Sequence, residues 1–341
     1  MPRFGWLMAA AVLVFGGVER TRAADPVKGP DPDNKDQQLL VIKPHQSMTY
    51  CVAYSPDGKQ IASGSQDDTA AITDAETGKV IYTLKGHKQG VNSVAFSPDG
   101  KKLATAAGDK TVKIWDVSNG KELLTLKGHK LVVQDVAFSP DGKTVASCAG
   151  DVGKATMPGE IKLWDAESGK DMRTLAGPKG GIYNVCYSPD GKRVAGCAWD
   201  NTVTIWETDG GKVALTYKGQ KAPLWCVAWS PDGKRLASSG YDESIKIWEA
   251  ETGKDVVSIK KTWKNPTTNA LTWSPDSKRV ASFSWQEKLM IYDAEKGDVV
   301  LALNAKTNTM HKMSFSPDGK HLACPWGDGS VHIWDMMAQE K

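Results

Sequence analysis

Short apolar segments alternate with polar turns along most of the chain. In residues 86–127 the apolar positions concentrate in four segments, Val91–Phe96, Leu103–Ala107, Val112–Trp115 and Leu123–Leu126. Pro, Asp, Asn and Gly separate these segments, and such punctuation of short runs predicts strands rather than helices. Four strands joined by short turns form an antiparallel meander.

The same pattern returns at a nearly constant period. Ser-Pro-Asp-Gly, or a close variant, begins at Ser55, Ser97, Ser139, Ser188, Ser230, Ser274 and Ser316, in steps of 42, 42, 49, 42, 44 and 42 residues. A period in the forties is typical of radial β-repeats, because one four-stranded sheet cannot cover both of its faces but seven around an axis can. The pattern predicts an all-β, seven-bladed β-propeller with four antiparallel strands per blade.

One repeat carries Gly86-His87, Ser97-Pro98-Asp99-Gly100, Asp109-x-Thr111 and Ile114-Trp115-Asp116 in that order. This arrangement resembles the WD-repeat (WD40) β-propeller family, and the likeness covers roughly residues 38–336. Related endings recur at Trp164-Asp165, Trp206-Glu207, Trp248-Glu249 and Trp334-Asp335, while Tyr292-Asp293 and Thr73-Asp74 diverge. Seven such endings in register are a specific signal.

The two ends of the repeat region are complementary. The last repeat has no fourth strand, whereas Gln38–Lys43 precedes the first repeat and is similar to the fourth strands. We expect this N-terminal strand to complete the last blade, as it does in the family. Pairing the two ends removes open sheet edges that invite aggregation.

The resemblance implies that recurring His, hydroxyl, carboxylate and Trp residues form buried hydrogen-bonded tetrads. The expected members are His87, Thr105, Asp109 and Trp115 in the second blade, and His129, Ser147, Asp151 and Trp164 in the third. The donors and acceptors are compatible with such a chain, and its repetition argues against catalysis. The other blades lack at least one member, so we expect packing between blades to dominate stability.

In the family, partners often dock on the face formed by the Gly-His and Asp-x-Thr loops, here called the top face. The contact positions include the fifth residue after the loop His, or after its counterpart, and the residue just before the loop Asp or its counterpart. Among the residues at these positions we select as candidate contacts Tyr50, Tyr183, Trp199, Trp225, Tyr241, Trp285 and His311. The aromatic ones concentrate in the fourth to sixth blades, and exposed Tyr and Trp are enriched in binding hot spots. Packing between blades, or filling of the channel, is the alternative.

The third repeat contains an insertion. Asp151 and Trp164 are 13 residues apart, against 6 for Asp109 and Trp115, and the extra residues lie within 152–159, including Met157. We expect this loop on the top face beside the fourth blade. It is either a neutral surface insertion or a lip over a binding site.

The N-terminal segment resembles an export signal. Arg3 precedes an apolar run over Phe4–Val18, and Ala23 offers a small residue before a cut at Ala24. We predict a signal peptide at 1–23, a flexible linker at 24–37 and the propeller at 38–341, with a periplasmic or extracellular location. An uncleaved anchor is the alternative, although the run is shorter than the roughly 20 residues that span a bilayer.

Charge and cysteine content narrow the chemistry. Net charge is +3, of which the first 23 residues supply +2, and no basic stripe indicates a nucleic-acid partner. The six cysteines, which fall on predicted strands, form no Cys-x-x-Cys pair or metal-ligand spacing, and we expect small buried hydrophobes. We expect no metal, no cofactor and no stable membrane insertion after cleavage.

These observations favour an exported, monomeric, non-catalytic scaffold that binds a protein or peptide on the top face. The alternative is a small-molecule or glycan binder, or an enzyme, at the mouth of the channel. Its nearest polar candidates are Asp242, His311 and Asp328. A third possibility is a structural module whose partner recognition lies in the linker.

Overall fold

The computed structural model describes residues 37–151, 158–178, 180–242, 244–260, 268–284, 288–304 and 312–337, and every regular element in these ranges is a strand. The strands form seven four-stranded antiparallel sheets. No described segment forms a helix with the length and apolar character needed to cross a membrane.

The first three blades contain β2 (Thr49–Tyr54), β3 (Gln60–Ser65), β4 (Thr69–Asp74) and β5 (Val80–Lys85); β6 (Val91–Phe96), β7 (Lys102–Ala107), β8 (Thr111–Asp116) and β9 (Glu122–Lys127); and β10 (Val133–Phe138), β11 (Thr144–Ala149), β12 (Glu160–Asp165) and β13 (Asp171–Ala176). The fourth to sixth contain β14 (Ile182–Tyr187), β15 (Arg193–Ala198), β16 (Val203–Glu207) and β17 (Val213–Tyr217); β18 (Leu224–Trp229), β19 (Arg235–Gly240), β20 (Ser244–Glu249) and β21 (Asp255–Lys260); and β22 (Thr268–Trp273), β23 (Arg279–Ser284), β24 (Lys288–Asp293) and β25 (Val299–Asn304). The seventh contains β26 (Ser314–Phe315), β27 (His321–Pro325), β28 (Val331–Asp335) and β1 (Gln38–Ile42).

The predicted closure is confirmed. β1 pairs antiparallel with β28, with Ile42 opposite Val331 and Leu40 opposite Ile333. The inner strands also close the ring, because Val52 N donates to Lys312 O at 3.0 Å. The all-β, seven-bladed architecture predicted from the repeat is therefore the observed one.

The core lies between the blades. Seven apolar clusters of described residues each combine side chains from two neighbouring blades, including the pair formed by the seventh and first. Ile114 of β8 and Trp164 of β12, for example, belong to the same cluster and are at most 1% exposed. Each sheet buries both of its faces against its neighbours, so a single repeat by itself would leave both faces of its sheet exposed.

The Ser-Pro-Asp-Gly turn is held by its own side chains. In the second blade Ser97 Oγ donates to Asp99 Oδ1 at 2.6 Å and accepts from Lys102 N at 2.9 Å, while Gly100 adopts a φ of 70°. The corresponding Ser–Asp hydrogen bond occurs in all seven blades. The same four-residue turn thus shapes every blade on the face opposite the top face.

The second blade contains a complete tetrad. Trp115 Nε1 donates to Thr105 Oγ1 at 2.9 Å, and His87 links this hydroxyl, at 2.7 Å, to Asp109 at 2.9 Å. Hydrogen bonds from His87 and Thr111 outweigh the opposing effect of burial and lower the pKa of Asp109. The carboxylate therefore stays ionised and accepts from the His87 ring.

The third-blade tetrad differs from the expectation at its carboxylate. Trp164 Nε1 donates to Ser147 Oγ at 2.8 Å, and His129 contacts Ser147 at 2.7 Å. The carboxylate at His129 Nδ1 is Glu160, at 2.9 Å, rather than Asp151. Glu160 begins β12 four residues before the Trp, the position that Thr111 has in the second blade, and its longer side chain reaches the His. The insertion separates Asp151 from β12, which explains the exchange.

The lost tetrads leave buried polar atoms without partners among the described residues. Trp206 and Trp334 have unpaired indole N–H groups, because the residues matching Thr105 are Gly196 and Cys324. The six cysteines are free, and all but Cys186 are buried.

Candidate functional site

A β-bulge recurs at the same place in the first strand of six blades. The register shifts between Thr49 and Cys51, and at the matching positions of the next five blades. A bulge re-aims the extra side chain and is common at binding sites. The bulged residues are Tyr50, Asn92, Gln134, Tyr183, Trp225 and Asn269. All six stand five residues after the loop His or its counterpart, which is a contact position that the family resemblance implies.

Four aromatic residues of the fourth and fifth blades form one contiguous group, here called the aromatic cluster: Tyr183, Trp199, Trp225 and Tyr241. Ring centroids are 4.7 Å apart for Tyr183 and Trp225 and 5.6 Å apart for Trp199 and Tyr241. Three further ring pairs lie between 5.7 and 6.4 Å. Tyr183 is buried, whereas the other three rings are half-buried. The rings thus pack on one another across two blades and still offer surface to a partner.

Main-chain hydrogen bonds hold the cluster. Trp199 N donates to Gly181 O at 3.1 Å, and Tyr241 N donates to Pro223 O at 2.9 Å. Gly240 is required next to Tyr241, because a Cβ there would lie 2.0 Å from Pro223 O. In each of these two blades, the bond joins the loop between the second and third strands to the loop that leads into the first strand.

The Tyr183 hydroxyl donates to the main-chain carbonyl of Asp151 at 3.2 Å. Burial raises the pKa of Tyr183 and of Tyr241, the latter against an opposing contribution from Trp225. Both hydroxyls are therefore protonated at neutral pH, and that of Tyr183 acts as a donor. Asp151, expected in the tetrad, instead borders the cluster through its main chain.

A cavity of about 60 Å³ opens beside the cluster at the mouth of the channel. Its upper tier consists of four bulged residues, Asn92, Gln134, Tyr183 and Trp225. Its floor consists of the residues that follow in sequence, Ser93, Asp135 and Asn184, together with Lys312 from the seventh blade. Four adjacent blades and one opposite blade therefore build one site.

The floor is an ion pair with a fully bonded carboxylate. Lys312 Nζ lies 2.9 Å from Asp135 Oδ1, which also accepts from Ser93 Oγ. Asp135 Oδ2 accepts from Asn184 Nδ2 at 2.6 Å and from Val185 N at 3.0 Å. Burial opposes the charge of Lys312, but the contact with Asp135 prevails and raises its pKa, so the ammonium persists.

Sequence reasoning missed this floor. The sequence does contain an indication of it. Asp135 and Lys312 stand one residue after the contact position, where three other blades have an uncharged Cys or Ala. A buried charged residue on the innermost strand of a blade requires an ionic or hydrogen-bonding partner.

The remaining sequence-predicted residues lie elsewhere. Tyr50 lies on the first blade, and a Cβ at Gly90 would meet its ring at 3.2 Å. Met157, Trp285 and His311 lie outside the described residues. Asp328 binds Ser330 and lies 3.9 Å from Lys43, and Asp242 accepts from Gln220 at 3.3 Å. Within the described part of the chain, no group of His, Cys, Asp and Glu is arranged to hold a metal ion.

The comparison with protein families agrees with this architecture. Six segments match the family WD40, described as "WD domain, G-beta repeat": residues 36–74, 78–116, 120–165, 169–207, 211–249 and 297–335. The matched segments omit residues 250–296, which contain most of the divergent sixth blade. No curated protein is significantly similar to the chain. With its matched repeats, seven closed blades and buried His–hydroxyl–Trp chains, the chain belongs to the WD40-repeat family of β-propellers.

Proposed function

We propose that the protein is an exported, non-catalytic scaffold that binds a protein or peptide partner on its top face, with the aromatic cluster as the principal contact. WD40 propellers are typically non-catalytic scaffolds for protein interactions. The observation that carries the proposal is the cluster itself, in which four rings pack together and three of them are only half-buried. Large, rigid aromatic side chains supply contact area at low entropic cost.

The size of the adjacent cavity favours a macromolecular partner over a small ligand. Pockets that enclose drug-sized molecules measure roughly 300–1,000 Å³. The cavity here holds about 60 Å³, which is room for one side chain. A partner that covers the half-buried rings and inserts one side chain into the cavity uses both features.

Affinity capture from the native envelope fraction tests the aromatic face. The bait is the wild-type protein, compared with Trp199→Ala/Trp225→Ala. Loss of one hot-spot ring costs about 2 kcal/mol or more, so the double variant should retain less than a tenth of each specific partner. Trp326→Ala is the matched control, since Trp326 is also half-buried but stacks on His332 in the seventh blade. Identical partner sets for wild type and double variant contradict the proposed face.

Export is supported by the N-terminal sequence and has its own test. A positive start, an apolar run and a small residue at Ala23 are the features of a cleaved signal. Mass spectrometry of the N-terminal peptide from the native host should give Ala24 as the first residue, in the periplasmic or extracellular fraction. A cytoplasmic protein with residues 1–23 intact would contradict export but would not contradict binding through the aromatic cluster.

A further inference from the structure

The cavity presents two kinds of wall in its upper tier. The rings of Tyr183 and Trp225, 4.7 Å apart, form one side. The side-chain amides of Asn92 and Gln134 belong to the neighbouring second and third blades. An occupant therefore contacts aromatic faces and amide groups together.

The orientation of both amides is set by main-chain carbonyls. Asn92 Nδ2 donates to Val133 O at 2.9 Å, and Gln134 Nε2 donates to Gly150 O at 2.9 Å. Only the nitrogen end of an amide can donate to a carbonyl, so the oxygen ends are free to face elsewhere. No described residue donates to Asn92 Oδ1 or Gln134 Oε1. The upper tier thus offers two open hydrogen-bond acceptors.

The floor carries no net charge and disfavours charged occupants. Four donors already occupy the Asp135 carboxylate, and its side chain is only 3% exposed, against 29% for Lys312. The ammonium of Lys312, whose side chain is the more exposed of the two, repels a cation. Asp135 neutralises the attraction of the Lys312 ammonium for an anion, and the two amide oxygens and the negative faces of the rings repel it.

The ammonium can still donate to a neutral occupant. Its contacts with Ser93 Oγ and Val136 O are both 3.4 Å long, which leaves it able to bond a nearer carbonyl. A volume of about 60 Å³ corresponds to about four to six water-sized atoms, at roughly 10–15 Å³ each. A Gln or Asn side chain is of this size.

We propose that the channel-mouth cavity is a socket for one carboxamide side chain of the partner, an Asn or a Gln. Its NH₂ group donates to Asn92 Oδ1 and Gln134 Oε1, its carbonyl accepts from Lys312, and its planar face lies against Tyr183 and Trp225. This inference rests on the proposed function, since it names the residue that the top face receives.

Three probes of similar size test the socket on the purified full-length protein: propionamide, propionate and propylammonium. Each is titrated while the side-chain NH₂ resonances of Asn92 and Gln134 and the Trp225 indole resonance are followed by NMR. Propionamide should bind at least about tenfold more tightly than either ion. Asn92→Leu should abolish that preference, whereas Gln66→Leu, which alters an exposed amide of the first blade, should preserve it. Equal or tighter binding of an ion, or no response to propionamide, overturns the proposal.

Variants of the two floor residues test whether the neutral floor disfavours charged occupants. Lys312→Met keeps the aliphatic stem and leaves Asp135 unpaired, so preference should move to propylammonium by at least about tenfold. The double variant Asp135→Asn/Lys312→Met restores neutrality and should prefer propionamide over both ions, which keeps the test decisive if the single variant does not fold. A double variant that prefers an ion contradicts the argument.

Failure of the socket and failure of the proposed function give different results. If Trp199→Ala/Trp225→Ala loses its partners but wild type shows no preference for propionamide, the scaffold function stands and the socket is refuted. If wild type prefers propionamide but the double variant captures every partner, the cavity binds carboxamides and the aromatic face is refuted.

Discussion

Two serines at the same position of neighbouring blades should respond in opposite ways to the same substitution. Ser238 of β19 and Ser282 of β23 are both fully buried. Ser238 Oγ accepts from Trp248 Nε1 at 3.1 Å, whereas Ser282 Oγ has no partner among the described residues, because Tyr292 replaces the Trp. The hydroxyl therefore stabilises the fifth blade and destabilises the sixth.

The magnitudes follow from the cost of unpaired buried groups. Ser238→Ala orphans the Trp248 indole N–H and should lower the free energy of unfolding by about 1–3 kcal/mol. Ser282→Ala removes an unpaired hydroxyl and should raise it by about 1 kcal/mol. Ser239→Ala is a control on the same strand as Ser238, because Ser239 Oγ is also buried and unpartnered, and this substitution should stabilise as well.

Equilibrium unfolding in urea measures all three variants. With a slope of about 3 kcal/mol per molar, Ser238→Ala should lower the midpoint by about 0.3–1 M, and the other two should raise it by about 0.3 M. The slope itself should not change, since no variant alters the surface exposed on unfolding. A midpoint for Ser238→Ala at or above wild type, or a lower one for Ser282→Ala, refutes the hydrogen-bond account of the blades.

Three further predictions concern closure, acid stability and packing. Deleting residues 38–43 removes the strand that pairs with β28 and should yield aggregates by size-exclusion chromatography; a soluble monomer of unchanged melting temperature contradicts closure. Burial lowers the pKa of His332 from 6.5 to about 4, so its contribution to stability is complete above pH 6.5 and lost as pH falls toward 4. Solvent screening reduces this contribution to about 1–2 kcal/mol. The urea midpoint of His332→Asn should therefore fall less between pH 7 and pH 4.5 than the midpoint of the wild type. Gly177→Ala places a Cβ 2.1 Å from Gly159 O and should cost over about 3 kcal/mol by urea unfolding, against about 1 kcal/mol for Gly210→Ala, whose Cβ meets nothing within 4 Å; equal costs would refute the packing argument.

The candidate site was predictable in part. Register counting placed Tyr183, Trp199, Trp225 and Tyr241 on the top face, and the structure brings these four into contact. Counting left open whether the rings are exposed or packed. The rings pack on one another, and three of the four are nevertheless only half-buried. This partial exposure depends on the spacing of the fourth and fifth blades.

Register counting gave the wrong carboxylate for His129. It assigned Asp151, whereas Glu160 makes the contact. A seven-residue insertion moves the first acidic residue away from the strand, and a second one happens to stand at its start. Spacing rules fail where loop length changes, because they assume the geometry of an unbroken turn.

The amino-acid sequence alone determined the number of blades, the turns and the closure strand. The turns follow from the turn chemistry and apolar patterning within each repeat of about forty residues, the number of blades follows from the count of repeats, and closure follows from the two unpaired ends of the repeat region. All three can therefore be read from the order of residues along the chain. The tertiary structure alone decided which side chains meet across the channel. Asp135 and Lys312 are 177 residues apart, and nothing local to either pairs them. The curvature of the ring brings the third and seventh blades face to face, and there the cost of an unpaired buried charge makes the contact necessary.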